Sequence, residues 1–195
     1  MNNLVVLCVM GESCSGKSTL IKNLTDKYKN LHYVKSYSTN YKRKSVEEDS
    51  THIYVDAEKF HDDLVHGKIL ATYISPNGYI NWVSKDLFIK DKINVLAIDP
   101  IAFGELLEEH LSDTEKYYGI YLKIDREEKI KRLQQRGEDV EKMLSEPHLQ
   151  LTKSDIIFKN LDNWCILNAN NSENEVLESV EKAIKYFGWC NLCVE

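Results

Sequence analysis

No stretch of this sequence is apolar for long enough to cross a bilayer. Nor is there an excess of positive charge. Lys and Arg number 25 against 31 Asp and Glu, a net charge of −6, which disfavours a broad nucleic-acid-binding surface. A focal basic pocket stays possible, because local placement and not total charge sets the field at a site. The five cysteines are an odd number without the spacing of a small disulfide framework, which points to a reducing compartment and a cytoplasmic placement. Cys190-x-x-Cys193 has no second Cys or His pair at metal-ligand spacing and follows a helical pattern, so it reads as tail packing. His61, His66, His110 and His148 also lack ligand spacing and read as surface or boundary residues. Repeats, low-complexity tracts and linkers are absent. The N-terminal segment has no basic n-region, and its short apolar run is expected to be a strand and not a signal peptide. What is present is 195 residues, 43% of them hydrophobic, enough for one domain with a full core.

The most informative segment is Gly11-Glu12-Ser13-Cys14-Ser15-Gly16-Lys17-Ser18, a phosphate-binding loop of the form G-x-x-x-x-G-K-S. Its glycines let successive N–H groups turn inward around phosphate oxygens. Lys17 is placed to reach the β/γ-phosphates, and the Ser18 hydroxyl to ligate Mg²⁺. The context fits. Leu4 to Met10 is apolar throughout, as in a strand buried on both faces. From Thr19 to Tyr28 a helix is predicted with Leu20, Ile21, Leu24 and Tyr28 on one face. Strand, loop and helix together aim a helix N-terminus at an anion. A nucleoside triphosphate is the expected ligand, held by Gly11, Ser13, Cys14, Ser15, Gly16, Lys17, Ser18 and Thr19.

Beyond the loop, apolar runs alternate with helical patterns, which predicts one α/β domain with a parallel sheet. Strands are predicted at Leu31–Lys35, His52–Val55, Lys68–Ser75, Tyr79–Trp82, Asn94–Asp99, Gly119–Ile124 and Trp164–Asn168. Helices are predicted at Asp56–His66 with Ala57, Phe60 and Leu64 inward, at Phe103–Leu111 and at Glu173–Tyr186, and a charged helical region from Arg126 to about Gln150. The polar segment Ser36 to Thr51 reads as one long exposed loop.

Two further features carry chemistry. Asp99 ends an apolar strand, where a Walker-B acid would organise Mg²⁺; beside the loop motif that reading is preferred to a simple turn residue before Pro100. Arg132 and Arg136 stand at i, i+4 before Gly137. They are either mobile cations for a phosphoryl-transfer transition state or a solvated face paired with Glu127 and Glu128.

At this point the residues resemble the guanylate kinase family. Ser36-Tyr37-Ser38-Thr39-Asn40-Tyr41-Lys42-Arg43, then Glu47, then His52-Ile53-Tyr54-Val55, is similar to that family's S-x-T-T-R-x-P-R, acid and Y-x-F-V pattern. Asn94 to Asp99 resembles its I-L-D-I-D strand, Lys131 to Gly137 its K-R-L-x-x-R-G segment, and Cys165 to Asn168 its V-I-V-N strand. The resemblance runs in order along almost the whole chain. It implies a three-layer P-loop NTPase fold in a single domain over 1–195: a core of 1–35, 84–133 and 153–195, a small acceptor-binding subdomain at 36–83, and a helical lid at 134–152. The implied activity is Mg²⁺-dependent transfer of the ATP γ-phosphoryl to a nucleoside monophosphate, with GMP or dGMP the first candidate. Neither nucleic acid nor membrane is an implied partner, and the chain would be a monomer or homodimer.

Carried over residue by residue, Arg43 would grip the acceptor phosphate, with His52 standing where the family has a Tyr and Tyr79 supplying a second contact. Ser36 and Asp99 would lie near the acceptor base, Asn168 near the adenine, and Ser18 and Asp99 near the metal. Lys17, Arg43, Arg132 and Arg136 would form the catalytic set. The chain departs from the family on the acceptor side. Asn40 replaces the first of two phosphate-binding arginines. Ala71 falls where the family places a guanine-reading Glu, and a lost partner of that kind is worth orders of magnitude in discrimination. Ala97 replaces the first Asp of the D-I-D pair. A kinase for a different nucleotide or small-molecule acceptor, or a guanylate-kinase-like binding module, are the alternatives.

Overall fold

The apolar run after Asn3 forms a central strand, β1 (Val5–Gly11), whose residues Val6 to Met10 are completely buried in a computed structural model of the chain. The structure describes residues 4–40, 52–74, 78–98, 100, 102–104, 116–145 and 164–187. In chain order the remaining elements begin with α1 (Lys17–Lys27), β2 (Leu31–Tyr33), β3 (Ser36–Ser38), β4 (His52–Tyr54) and α2 (Ala57–Val65). Then come β5 (Ile69–Ile74), β6 (Ile80–Ser84), a short 3₁₀ turn at Lys85–Leu87, β7 (Ile93–Ala97) and β8 (Lys116–Lys123). The described chain closes with α3 (Arg126–Gln135), α4 (Val140–Ser145), β9 (Trp164–Asn168) and α5 (Glu173–Tyr186). No helix among the described residues is long and apolar enough to cross a membrane.

Five strands form a sheet in the order β2-β7-β1-β8-β9, every pair of which is parallel. Such a sheet must be covered on both faces. On one face Leu7, Val9, Ile120 and Leu122 pack against Leu20, Ile21 and Leu24 of α1 and Val176, Val180 and Ile184 of α5. On the other, Val6, Cys8 and Met10 pack with Leu96, Phe103 and Tyr121, and with Leu70, Ala71 and Val83. Those last three belong to a second sheet of four strands, ordered β4-β3-β6-β5, in which β3 pairs parallel with β4 and antiparallel with β6. The two sheets therefore share a core, and their junction lies beside the C-terminal end of β1, from which the loop 11–16 leads into α1.

Two expectations are corrected and a third is refined. Ser36–Ser38 is a strand and not loop: its pairing with β4 and β6 supplies order that its polar sequence does not signal. On α2 the wholly buried residue is Asp63, whereas Leu64 is 57% exposed and Ala57 also faces outward. The charged helical region from Arg126 to about Gln150 consists, over its described part, of two helices, α3 and α4. Gly137 takes φ +68°, its N–H donates to the Gln134 carbonyl and that of Glu138 to the Leu133 carbonyl, which ends α3 in a Schellman cap. Of the predicted helix Phe103–Leu111 only residues 103 and 104 are described, and both are helical.

Candidate active site

The loop after β1 cannot carry a side chain at its first position. A Cβ on Gly11 would stand 2.6 Å from the Leu122 carbonyl oxygen and 2.7 Å from Ser15 Oγ, and φ there is +142°. Strand β8 thus presses directly on the loop. Gly16 is the N-cap of α1, and among the described residues no side chain caps the helix. Its first-turn amides are left to an outside acceptor at the positive end of the helix dipole. Ser15 is 2% exposed, and its hydroxyl has no hydrogen-bond partner among the described residues. Uncapped amides and a buried, unpartnered hydroxyl in one loop fit a bound polyphosphate. Lys17 Nζ lies folded across that loop, donating to the carbonyls of Gly11 and Glu12 at 2.8 Å each.

Two clefts meet at this loop. The first, about 350 Å³, has Gly11 to Cys14 and Gly16 to Thr19 on one side. Opposite stand Ser36, His52, Ala71, Thr72, Trp82, Ala97 and Tyr121, with Arg136 also on the wall. The second, about 480 Å³, is bounded by Cys14 to Gly16, Thr19, Asn23, Arg132, Gln135 and Arg136, and by Ala169 to Ser172 ahead of α5. Cys14, Gly16, Thr19 and Arg136 border both. Such a pair of compartments has room for two molecules whose reactive ends approach over one loop.

Most candidate residues come together here, and some do not. Ser15 and Arg132 line only the second cleft. Tyr79, half-buried, is on the wall of neither. Asn40 is also off both walls; its backbone N–H is bonded to Ser38 Oγ and its buried amide oxygen has no partner among the described residues. Asn168 is exposed, and its side chain accepts from the Asn170 N–H at 3.0 Å. That bond turns the chain so that residues 169 to 172, one step further on, form the wall expected of Asn168. Arg43 and Asp99 lie outside the described residues, as do Cys190 and Cys193. Among the described residues no group of three His, Cys, Asp or Glu side chains gathers to hold a metal ion. Ser18, exposed on the first turn of α1 and bordering the first cleft, presents a hydroxyl that a metal ion could use.

The two arginines of α3 divide. Arg132 is tied down rather than mobile: Nε donates to Glu128 at 2.9 Å, Nη1 to the Cys14 carbonyl at 3.2 Å and Nη2 to the Ala169 carbonyl at 2.6 Å. It joins the phosphate loop to the end of β9, and its hydrogen bond holds the Glu128 carboxyl below the usual range. Arg136 follows the last turn of α3, half-exposed, with Glu138 4.0 Å away. It is the arginine that borders both clefts.

The sequence patterns did not single out Trp82, which walls the first cleft, or Asp63, which bonds its indole without lining either cleft. The Trp82 ring, 1% exposed, stacks at a tilt on Tyr37 and edge-on to Phe60, with centroids 5.3 and 5.2 Å away. Its indole N–H donates to Asp63 at 2.9 Å, and Lys59 pairs with the same carboxylate. Burial pushes the Asp63 pKa up, but the bonds from Lys59 and Trp82 outweigh it and hold the carboxyl below its ordinary value. For Lys59 burial pushes downward, and Asp63 reverses the sign.

No family model matches the sequence, and comparison with curated proteins finds no match. Among solved structures, the crystal structure of guanylate kinase from Anaplasma phagocytophilum is similar, with a TM-score of 0.59 at 17% identity over 95% of this chain and 86% of that one. At that identity the likeness is one of architecture: the chain has a guanylate-kinase-like α/β fold with a central parallel sheet.

Proposed function

We propose that this protein transfers the γ-phosphoryl group of ATP to a nucleoside monophosphate. The observation that carries the reading is the pair of clefts meeting over Gly16, Thr19 and Arg136. In this reading the second cleft takes the donor nucleoside, the loop its phosphates, and the first cleft the acceptor. The similar fold of a guanylate kinase, whose name states its acceptor, supports the same assignment.

The chain's part in the reaction is positioning and charge neutralisation. An acceptor phosphate is already ionised near neutral pH, so no residue need remove a proton to create the nucleophile. Lys17 would leave the Gly11 and Glu12 carbonyls for the donor phosphates, while the α1 amides hold the β-phosphate. Arg136 would neutralise the transferring group, and Arg43 would orient the acceptor. Ser18, with Asp99, would hold Mg²⁺, which would supply charge neutralisation to the donor phosphates. Arg132 keeps the loop and the donor wall in register. Closure of segment 134–152 would exclude water and suppress ATP hydrolysis.

GMP and dGMP are the first acceptors to test. A second reading, a different nucleoside monophosphate, is favoured by the wall itself. Apart from Glu12 on the loop, the described residues of the first cleft include no Asp or Glu, and Ala71 is 5% exposed there. Guanine would leave its N1–H and exocyclic amine without a carboxylate from that wall. A screen of ATP with GMP, dGMP, AMP, CMP, UMP and dTMP, read as nucleoside diphosphate formed, decides between them. Turnover of GMP well above the others would show that Ala71 has been given too much weight. ATP binding with no turnover of any acceptor would replace the enzyme by a binding module.

A further inference from the structure

Lys129 occupies a position where a lysine is costly. Its side chain is 5% exposed, on α3, and Nζ donates to a carboxylate oxygen of Glu12 at 2.6 Å. Glu12 is the second residue of the phosphate loop and borders the first cleft. Its carbonyl oxygen accepts from both Lys17 Nζ and the Ser15 N–H, so its backbone is part of the cradle itself. A carboxylate in that place opposes the arrival of a polyphosphate, and part burial strengthens the repulsion over its value in water. Lys129 and Arg132 are three apart, hence on one face of α3. The first meets Glu12 and the second the Cys14 carbonyl, so one helix face grips the loop at two alternate residues.

We propose that Lys129 is a positioning residue for triphosphate binding. It neutralises the Glu12 carboxylate and holds it against α3, leaving Lys17 and the α1 amides to set the field that the phosphates meet. The proposal rests on the triphosphate reading of the loop but not on the identity of the acceptor. It turns on charge, which separates it from a packing role: removing the positive partner should hurt, and removing the negative one as well should repair.

The test is calorimetric titration of the wild-type chain, Lys129→Met and the double variant Glu12→Gln/Lys129→Met with ATP and with ADP, each with Mg²⁺, alongside thermal melts. Lys129→Met should weaken ATP at least about tenfold and ADP less, because ATP brings more charge to the loop. The double variant should return ATP affinity to within about threefold of wild type. Lys129→Gln, which keeps a donor for Glu12 without the charge, is the second single variant if Lys129→Met melts early, and should weaken ATP in the same way. A loss that Glu12→Gln does not restore, an equal loss for ATP and ADP, or no loss would overturn the proposal. A wild-type chain that fails to bind ATP would instead remove the triphosphate reading, and this inference with it.

Discussion

Asp63→Ala should be among the more damaging single substitutions outside the phosphate loop. The carboxylate is wholly buried and serves two donors of different standing. The indole N–H of Trp82 is buried, and without Asp63 it has lost its acceptor, at a cost of about 1–3 kcal/mol. Lys59 keeps 27% of its side chain exposed and can turn to water, so its share is smaller, about 1 kcal/mol. The total is about 3 kcal/mol, or roughly 6–12 °C in Tm for a chain of this length. Asp63→Asn keeps one oxygen for the indole N–H but loses the charge and the second acceptor, the one that serves Lys59, so about half that loss is expected. The sign with pH follows from the lowered pKa. A carboxyl that ionises more readily folded than unfolded stabilises above its unfolded value, about 4, and that contribution drains away as pH falls through the native value. The gap between wild type and Asp63→Asn, measured by urea denaturation, should therefore be full at pH 7 and narrow as pH falls below about 4. Because Trp82 walls the first cleft, Asp63→Ala should also raise the acceptor KM more than the ATP KM. An Asp63→Ala protein melting within about 2 °C of wild type, or an Asp63→Asn gap indifferent to pH, would refute the reasoning.

Gly11→Ala should destabilise the chain by about 1–3 kcal/mol and abolish ATP binding, since the new Cβ meets the Leu122 carbonyl at 2.6 Å; ATP titration and a melt check both. Arg132→Ala removes three bonds joining the loop to Glu128 and to the end of β9, and should cost about 2 kcal/mol with a weaker ATP site, read by denaturation and titration. Burial pushes the Cys8 thiol well above its ordinary value and that of Cys165 to about 11, so peptide mapping after alkylation at pH 8 should find both unmodified until the protein is unfolded.

The strand, tight loop and helix at Val5–Lys27 were legible because the signal is local: glycines, a lysine and a hydroxyl at fixed offsets between a wholly apolar strand and an amphipathic helix. The five strands of the parallel sheet were legible for a related reason, since burial on both faces leaves runs such as Val5 to Met10 unbroken. Helix α5 spans the residues predicted for it, Glu173–Tyr186, and the structure starts it with a capping box made by Ser172 and Glu175. What the pattern missed was settled by partners distant in sequence. Periodicity turned Leu64 inward on α2, but Trp82, nineteen residues beyond Asp63, supplies the donor that draws Asp63 in instead. Ser36–Ser38 becomes a strand through β4 and β6, neither of which its own residues announce. The i, i+4 spacing of Arg132 and Arg136 was visible, but not the Schellman cap at Gly137 that leaves one arginine anchored and the other bordering both clefts. On the acceptor side Ala71 was flagged and does line the cleft, while Asn40 and Tyr79 do not.

The central claim is that Lys17 and its loop transfer a phosphoryl group between two nucleotides. Chromatographic measurement of both products, with the acceptor that turns over best in the screen, tests it most directly. Wild type should form ADP and nucleoside diphosphate in equal amounts. Lys17→Ala should melt with the wild type and lose at least about 10²-fold in rate. Transfer that survives in Lys17→Ala, or ADP formed without the matching diphosphate, would contradict the account.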